Sequence, residues 1–392
     1  MGSTTLPQPN PVFGGLGTTI FTVMSALALE HKAVNLGQGF PDEDGPLSIR
    51  EAAARALIDG PNQYAPMPGM PVLRQALARH AKRHYDLDLD WEREICVTSG
   101  ATEAIADCLM ALLGPGDEAI LIDPAYDSYR PIVEAVGAKT VGVKLDEKAW
   151  GLPLDAIAAA VTSRTKLVMI NSPHNPSGRV FSRGELEGLA EILRTRNLLL
   201  VCDEVYEHLT FDGVAHIPLI TLPGMRERTV RIGSAGKIFS ITGWKVGWIT
   251  GPAALIGTIM KAHQFVTFTT SPALQIGVAH GLDHEQDWYL ALPKELQKRR
   301  DILIGGLQAA GFRTMPCEGT YFVTADFAPL GINEGDVAFA KRLTAAQGVT
   351  SIPLSVFYGA DAPQHYIRFA FCKAQATVEE ALRRLKAQRI GS

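Results

Sequence analysis

The chain has 392 residues, 46% of them hydrophobic and 20% charged, enough for two domains around a large buried core. A formal net charge of −4, with no basic run beyond Arg299-Arg300 and Arg383-Arg384, argues against a nucleic-acid or anionic-membrane surface, and no run of about 18 apolar residues offers a spanning helix. The five cysteines, Cys96, Cys108, Cys202, Cys317 and Cys372, are scattered without a Cys-x-x-Cys spacing, so they read as reduced core thiols and point to the cytoplasm.

Met1 to Asn10 is polar and Pro-rich, unlike a signal peptide, and residues 1–18 read as a flexible arm. Gly14-Gly15-Leu16-Gly17 would need a glycine at Ile20 to make a dinucleotide fingerprint. Asn35-Leu-Gly-Gln-Gly-Phe-Pro-Asp42 is a glycine-rich loop suited to close backbone approach toward a ligand. Ser48-Ile-Arg-Glu51 has the form of a capping box, opening a helix to about Asp59. A further helix is expected from about Pro71 to His84. The alternate aspartates Asp86, Asp88 and Asp90 suggest a calcium loop, but Trp91 stands where its glycine belongs, so a solvated turn is expected.

From residue 95 onward, short apolar runs alternate with helical patterns, the signature of a parallel sheet wrapped by helices. Strands are predicted at 95–98, 119–122, 140–143, 167–170, 198–201, 230–232 and 246–250, and a capping box at Ser182-Arg-Gly-Glu185 opens one intervening helix. Such sheets bind ligands at the carboxyl ends of their strands. Here those ends are polar: Ser99-Gly100-Ala101-Thr102, Asp123-Pro-Ala-Tyr126, Asn171-Ser-Pro-His-Asn175, Asp203-Glu-Val-Tyr206 and Gly233-Ser234. After about Gly281 the pattern changes. A long helix containing Pro293 stops at Gly311, short strands and a helix to Gly348 follow, and Thr377-Val-Glu-Glu380 caps a final helix. The expected fold is α/β: a large domain (49–284) with a mostly parallel seven-stranded sheet flanked by helices, and a smaller C-terminal α/β domain (285–392). Residues 1–48 form an arm that contributes to the smaller domain.

A single lysine, Lys237, is delivered by the glycine-hedged turn Gly233-Ser-Ala-Gly-Lys237 at a strand end. A lysine held in apolar surroundings beside a second cation, here Lys245, has a lowered pKa and becomes a nucleophile. Asp203 closes a nearly continuous apolar strand. A buried carboxylate needs a partner, and a protonated pyridine nitrogen is one, although a turn aspartate is the simpler reading of Asp203 alone. Ser99, Gly100, Ala101 and Thr102 sit at a strand-to-helix junction, where free N–H groups bind phosphate; Ser234 and Lys245 complete the cradle. Tyr126 is placed to stack on a ring, and Asn175 and Tyr206 to bond its 3-oxygen. Lysine, carboxylate, phosphate cradle and ring contacts are the requirements of pyridoxal 5′-phosphate (PLP). Arg368 is a charge inside an apolar strand and requires an anion, either a substrate α-carboxylate or a buried acidic side chain.

Asn35-Leu-Gly-Gln-Gly-Phe-Pro, Asn62-Gln-Tyr64, Asn171-Ser-Pro-His-Asn-Pro176, Asp203-Glu-Val-Tyr206, Ser234-Ala-Gly-Lys237, Gly243-Trp-Lys-Val-Gly247 and Arg368 follow one another in a family's order. In these motifs the chain resembles the fold-type I PLP aminotransferases of class I/II across nearly its whole length. Within them it is similar to the kynurenine/glutamine transaminase branch. Asn62-Gln-Tyr-Ala-Pro-Met, Cys317-Glu-Gly-Thr-Tyr-Phe322 and Ile352-Pro-Leu-Ser-Val-Phe357 are similar to bacterial methionine aminotransferases. The resemblance implies a homodimer with shared active sites, in which Tyr64 and Phe268 reach into the partner's site, Tyr64 onto phosphate and Phe268 along the substrate side chain. It also implies that the Gly37 backbone faces the substrate carboxylate opposite Arg368. The kynurenine enzymes of this branch carry an aromatic residue near Thr19; Ile20 and Phe21 are candidates for the apolar wall here. The expected activity is ping-pong transamination, with Lys237 as the Schiff-base lysine and Asp203 and Tyr206 as its catalytic partners. Methionine, aromatic or glutamine-like amino acids would be donors and a 2-oxo acid the acceptor. Alternatives are kynurenine–oxoglutarate transamination, β-elimination from cysteine conjugates and, more distantly, a PLP-binding regulator.

Overall fold

The computed structural model describes residues 7–387. Its first strand, β1 (Val34–Asn35), lies apart from the main sheet. The main sheet contains β2 (Ile95–Thr98), β3 (Glu118–Asp123), β4 (Lys139–Lys144), β5 (Thr165–Asn171), β6 (Leu199–Asp203), β7 (Thr229–Ser234) and β8 (Gly247–Thr250). Their order is β2-β8-β7-β6-β5-β3-β4, parallel throughout except for β8, which runs against both neighbours. β2, β3 and β7 are buried along their whole length, because helices cover both faces of such a sheet. Every predicted strand of this sheet is present, displaced by no more than two or three residues at an end.

Register brings the strand ends together. Asn171 pairs with Asp203 across β5 and β6, while Gly247, at the start of β8, faces both Thr98 and Ser234. The polar carboxyl ends therefore share one edge, and the reversed β8 begins where its neighbours finish.

The later strands are β9 (Arg313–Thr314), β10 (Phe322–Asp326), β11 (Val349–Thr350), β12 (Ile352–Pro353) and β13 (Tyr366–Ala370). A four-stranded sheet orders them β12-β13-β10-β9, and β1 pairs in parallel with β11. The long helix Gln286–Ala309 carries Pro293 and is followed by Gly311 at φ +94°, as its sequence requires.

Three local expectations are corrected. Ser48 does not cap its helix: Leu47–Asp59 begins two residues earlier than that cap requires, after Pro46, and the Ser48 hydroxyl bonds Glu285 instead. Thr377 likewise lies inside the helix Gln375–Ala387, its hydroxyl turned to Asp42. In both cases a tertiary carboxylate outcompetes the local cap. The arm is not featureless either, since Asn10 caps a turn at Pro11–Gly14; residues 1–6 lie outside the described residues. Ser182 does form the predicted capping box with Glu185.

Candidate active site

The aligned strand ends enclose a cavity of about 230 Å³, lined by Gly100, Ala101, Thr102, Tyr126, Asn175, Asp203, Tyr206, Ser234, Lys237 and Lys245. Asn171 lines it as well. Each of the five polar strand ends thus contributes.

Lys237 sits in the single helical turn Ala235–Ile238 that follows β7. Its Nζ donates to the Tyr321 hydroxyl at 2.7 Å, and that hydroxyl donates to the Gly39 carbonyl at 2.6 Å. Burial lowers the amine's pKa to about 8; Cys372 and Asp203 oppose the shift, Lys245 and Arg368 add to it. Asp203 ends β6, buried, with Oδ2 accepting from Tyr129 Oη at 2.5 Å and Oδ1 from the Val205 N–H at 3.3 Å. Burial raises its carboxyl to about 6 despite those two bonds.

At the junction of β2 with the helix Gly100–Leu112, Gly100 adopts φ +76°. A Cβ there would sit 3.2 Å from Lys245 Nζ, and a Cβ on Gly247 would meet the Gly100 backbone at 2.6 Å. Both glycines are needed for this close approach. The first turn of the helix has N–H groups without intrahelical partners; the N–H of Ser99, the residue before it, is taken by the Glu103 carboxylate. Lys245 itself is exposed, in a left-handed conformation at φ +53°. Its segment is therefore less enclosed than its two tryptophans suggest: Trp248 is buried and Trp244 only half-buried.

Arg368 lies on β13, fully buried. It donates to Asn175 Oδ1 at 2.7 Å and to the Gly37 carbonyl at 3.2 Å, and its guanidinium carbon lies 3.8 Å from the Phe322 ring centroid. Phe357 and Phe21 flank it at 5.1 and 5.5 Å. Burial lowers its pKa to about 10, and Asp127 acts on it only at longer range. Among the described residues no acidic side chain is ion-paired with it, which removes the buried ion pair as its explanation; its Nε is buried and without a hydrogen-bond partner.

Tyr64 and Phe268 are not brought to this cavity. They form an edge-to-face pair, centroids 5.5 Å apart, at the surface, with Tyr64 85% exposed. Thr19 is occupied as the N-cap of the helix Ile20–Glu30, accepting from the Thr22 N–H. Sequence reading assigns no site role to Tyr129, Tyr321, Phe322 or Phe357, although the last three stand in the 317–322 and 352–357 motifs. Tyr129 opens the helix Tyr129–Ala135 and Tyr126 lies in the loop before it, so no shared helix face marks it; the role of Tyr321 depends on the residue before β10 packing against Lys237.

Residues 31–385 match the sequence profile of aminotransferase class I and II. The chain belongs to this family. It superposes on the N-succinyldiaminopimelate aminotransferase from Mycobacterium tuberculosis with a TM-score of 0.93 at 47% identity, covering 96% of this chain and 98% of that one. The methionine aminotransferase of Escherichia coli is 41% identical, with 95% of this chain and 96% of that protein aligned. A kynurenine–oxoglutarate transaminase of Dictyostelium discoideum is 37% identical, with 95% of each aligned. The protein is a PLP-dependent aminotransferase, whose substrates are amino and 2-oxo acids.

The cavity fits that cofactor. A buried carboxylate at Asp203 suits a protonated ring nitrogen, the glycine-walled junction beside Ser234 and Lys245 suits a phosphate, and the amine of Lys237 stands at the same cavity.

Proposed function

We propose that this aminotransferase acts on methionine and other large apolar or aromatic 2-amino acids, passing the amino group to a 2-oxo acid in two half-reactions. The observation that carries the reading is Arg368: a buried guanidinium with an unpartnered Nε, no acidic partner among the described residues, and rings of Phe322, Phe357 and Phe21 around it. Its donors grip the α-carboxylate common to both substrates. Phe322 and Phe357 are buried against the guanidinium and hold it in place, while the half-buried Phe21 beside it is the ring left to offer an apolar surface to a substrate side chain.

When bound, PLP supplies an aldehyde that takes up the amino group and a ring that withdraws electrons from the substrate's Cα. The chain's own residues do the rest. Asp203 would hold the ring nitrogen's proton; Gly100, Ala101, Thr102, Ser234 and Lys245 would hold the phosphate; Tyr126, Tyr206 and Asn175, which line the same cavity, would hold the ring. Asn175 also orients Arg368 through its Oδ1. Lys237 is the base that removes the Cα proton. With a pKa near 8, about a tenth of it is neutral at pH 7, against far less for a solvated lysine. Tyr321 holds its Nζ when the amine is free.

The working unit in this reading is a homodimer in the cytoplasm. The exposed Tyr64–Phe268 pair is available to complete a partner's site, Tyr64 toward phosphate and Phe268 toward the substrate side chain. All five cysteines are free and buried, in keeping with a reducing compartment. Residues 1–48 serve the smaller domain, as the β1–β11 pair supports, with 49–284 as the large domain and 285–392 as the small one.

A second reading follows from the 47% identical relative named for N-succinyldiaminopimelate: a long donor ending in a carboxylate. Initial rates across methionine, phenylalanine, kynurenine, glutamine, aspartate and N-succinyldiaminopimelate separate the two. Highest kcat/KM for methionine or an aromatic donor is expected. A preference for aspartate or for the succinylated donor would overturn the apolar reading, and pyruvate release from cysteine conjugates without an oxo acid would indicate elimination.

A further inference from the structure

Outside the active-site cavity the fold gathers three imidazoles. His80 and His84 stand one turn apart on the helix Pro71–Tyr85 and share a face. His208 arrives from the segment after β6, five residues beyond Asp203. His80 Nε2 lies 2.7 Å from His208 Nε2, and one ring nitrogen from each histidine falls within 4.8 Å of the other two. The three ring centroids are 4.7, 4.8 and 5.0 Å apart. The Tyr289 hydroxyl, from the helix Gln286–Ala309, is 2.9 Å from His84 Nε2. None of these residues lines the active-site cavity.

We propose that His80, His84 and His208 form a binding site for a divalent first-row cation of the zinc type. Three imidazoles from two elements, two of them at i and i+4 of one helix, provide the nitrogen donors that such ions prefer. Zinc–nitrogen bonds of about 2.0–2.1 Å in a tetrahedron place ligand nitrogens roughly 3.3 Å apart. The close pair has to open slightly and the third ring to move in, shifts within reach of side-chain torsions. Water or the Tyr289 hydroxyl takes the remaining position.

The surroundings favour this use. His80 is buried and the others half-buried. Glu207 lies close enough to act electrostatically on all three. It accepts from the Tyr85 hydroxyl at 2.6 Å. Its negative charge favours a cation nearby, partly offset by Arg231, which it contacts at 3.3 Å. A bound ion would tie the helix Pro71–Tyr85 to the segment that carries Asp203 and Tyr206.

The test is titration of chelator-treated holoenzyme with Co(II), read by visible ligand-field absorption, followed by competition with Zn(II). One equivalent of Co(II) per chain is expected to give intense tetrahedral bands that Zn(II) abolishes. His80→Gln and His208→Gln should each weaken Co(II) binding at least about tenfold, a lower bound taken from losses at residues that merely support ligands. His280→Gln is the control: His280 and His284 also pack as a pair, centroids 4.7 Å apart, but join no three-ligand group among the described residues. Bound-PLP absorption reports that each variant is folded. Absence of the bands in the wild-type protein would overturn the proposal, leaving His80 and His208 as a hydrogen-bonded pair. Undiminished bands in a variant lacking all three histidines would overturn it equally.

Discussion

At Lys237 and Asp203 burial acts in opposite directions on two groups that share one cavity, lowering the amine's pKa to about 8 and raising the carboxyl's to about 6. Both shifts disfavour charge, and both have consequences for the protein without cofactor. Asp203 binds its proton more tightly folded than unfolded, so the apo-protein loses stability as pH rises from about 4 to about 6. The loss is on the order of 3 kcal/mol. Asp203→Asn, which keeps an oxygen for the Tyr129 hydroxyl, should therefore raise the apo-protein's denaturation midpoint at pH 7 while abolishing turnover. A midpoint below wild type would mean that the carboxylate is stabilising there. Arg368→Ala should raise KM for amino and oxo acids alike by about 10–100-fold, the range for losing charge-assisted hydrogen bonds, with kcat less affected. Unchanged KM values would remove the carboxylate grip.

At the scale of elements, the helix Gly100–Leu112 is positioned by a buried charge cluster. His263, on the helix Ala253–Val266, contacts Glu103 at 2.9 Å, Asp107 at 3.3 Å and the Met67 carbonyl at 3.1 Å. Glu103 in turn accepts from the Ser99 N–H, so the cluster reaches the phosphate junction. Burial lowers the pKa of His263, but the nearby Asp107 and Glu103 carboxylates prevail and push it up to about 9. A raised pKa means that the stabilisation is complete below about 6.5 and is lost as pH climbs to about 9. In His263→Gln that decline should disappear. Urea midpoints measured across this window check it, and parallel profiles for wild type and variant would show that the histidine carries no stabilising proton. The same cluster explains why Glu103, a residue that reads as a routine helix-opening acid, is turned inward.

The whole molecule raises the question of how Tyr64 and Phe268 act, since they face away from their own cavity. If Tyr64 serves the neighbouring site, Lys237→Ala and Tyr64→Ala subunits should complement one another. The first alone is expected to be inactive and the second impaired. Random dimers of the two are half hybrids, each with one intact site, so unfolding and refolding them together should restore about a quarter of wild-type activity. No gain on mixing would place the action of Tyr64 within its own subunit. The large sheet and the C-terminal unit meet at the Asn175–Arg368 bond, because Asn175 follows β5 while Arg368 lies on β13.

The parallel sheet was legible from alternation alone, since strands buried on both faces read as short apolar runs between helices. So were Lys237, Asp203 and the glycine junction, because a ligand held at strand ends demands particular side chains immediately after each strand. The aminotransferase family was legible in the order of those motifs. Tyr129 beneath Asp203, Tyr321 beneath Lys237, the aromatic rings around Arg368 and the histidine cluster were decided by tertiary structure. In each of them the partners come from elements far apart in the chain, and only the packing of those elements sets their distances. Ser48 and Thr377 show the same rule from the other side: a sequence pattern specifies a helix cap until a carboxylate from elsewhere in the fold offers the hydroxyl a different bond.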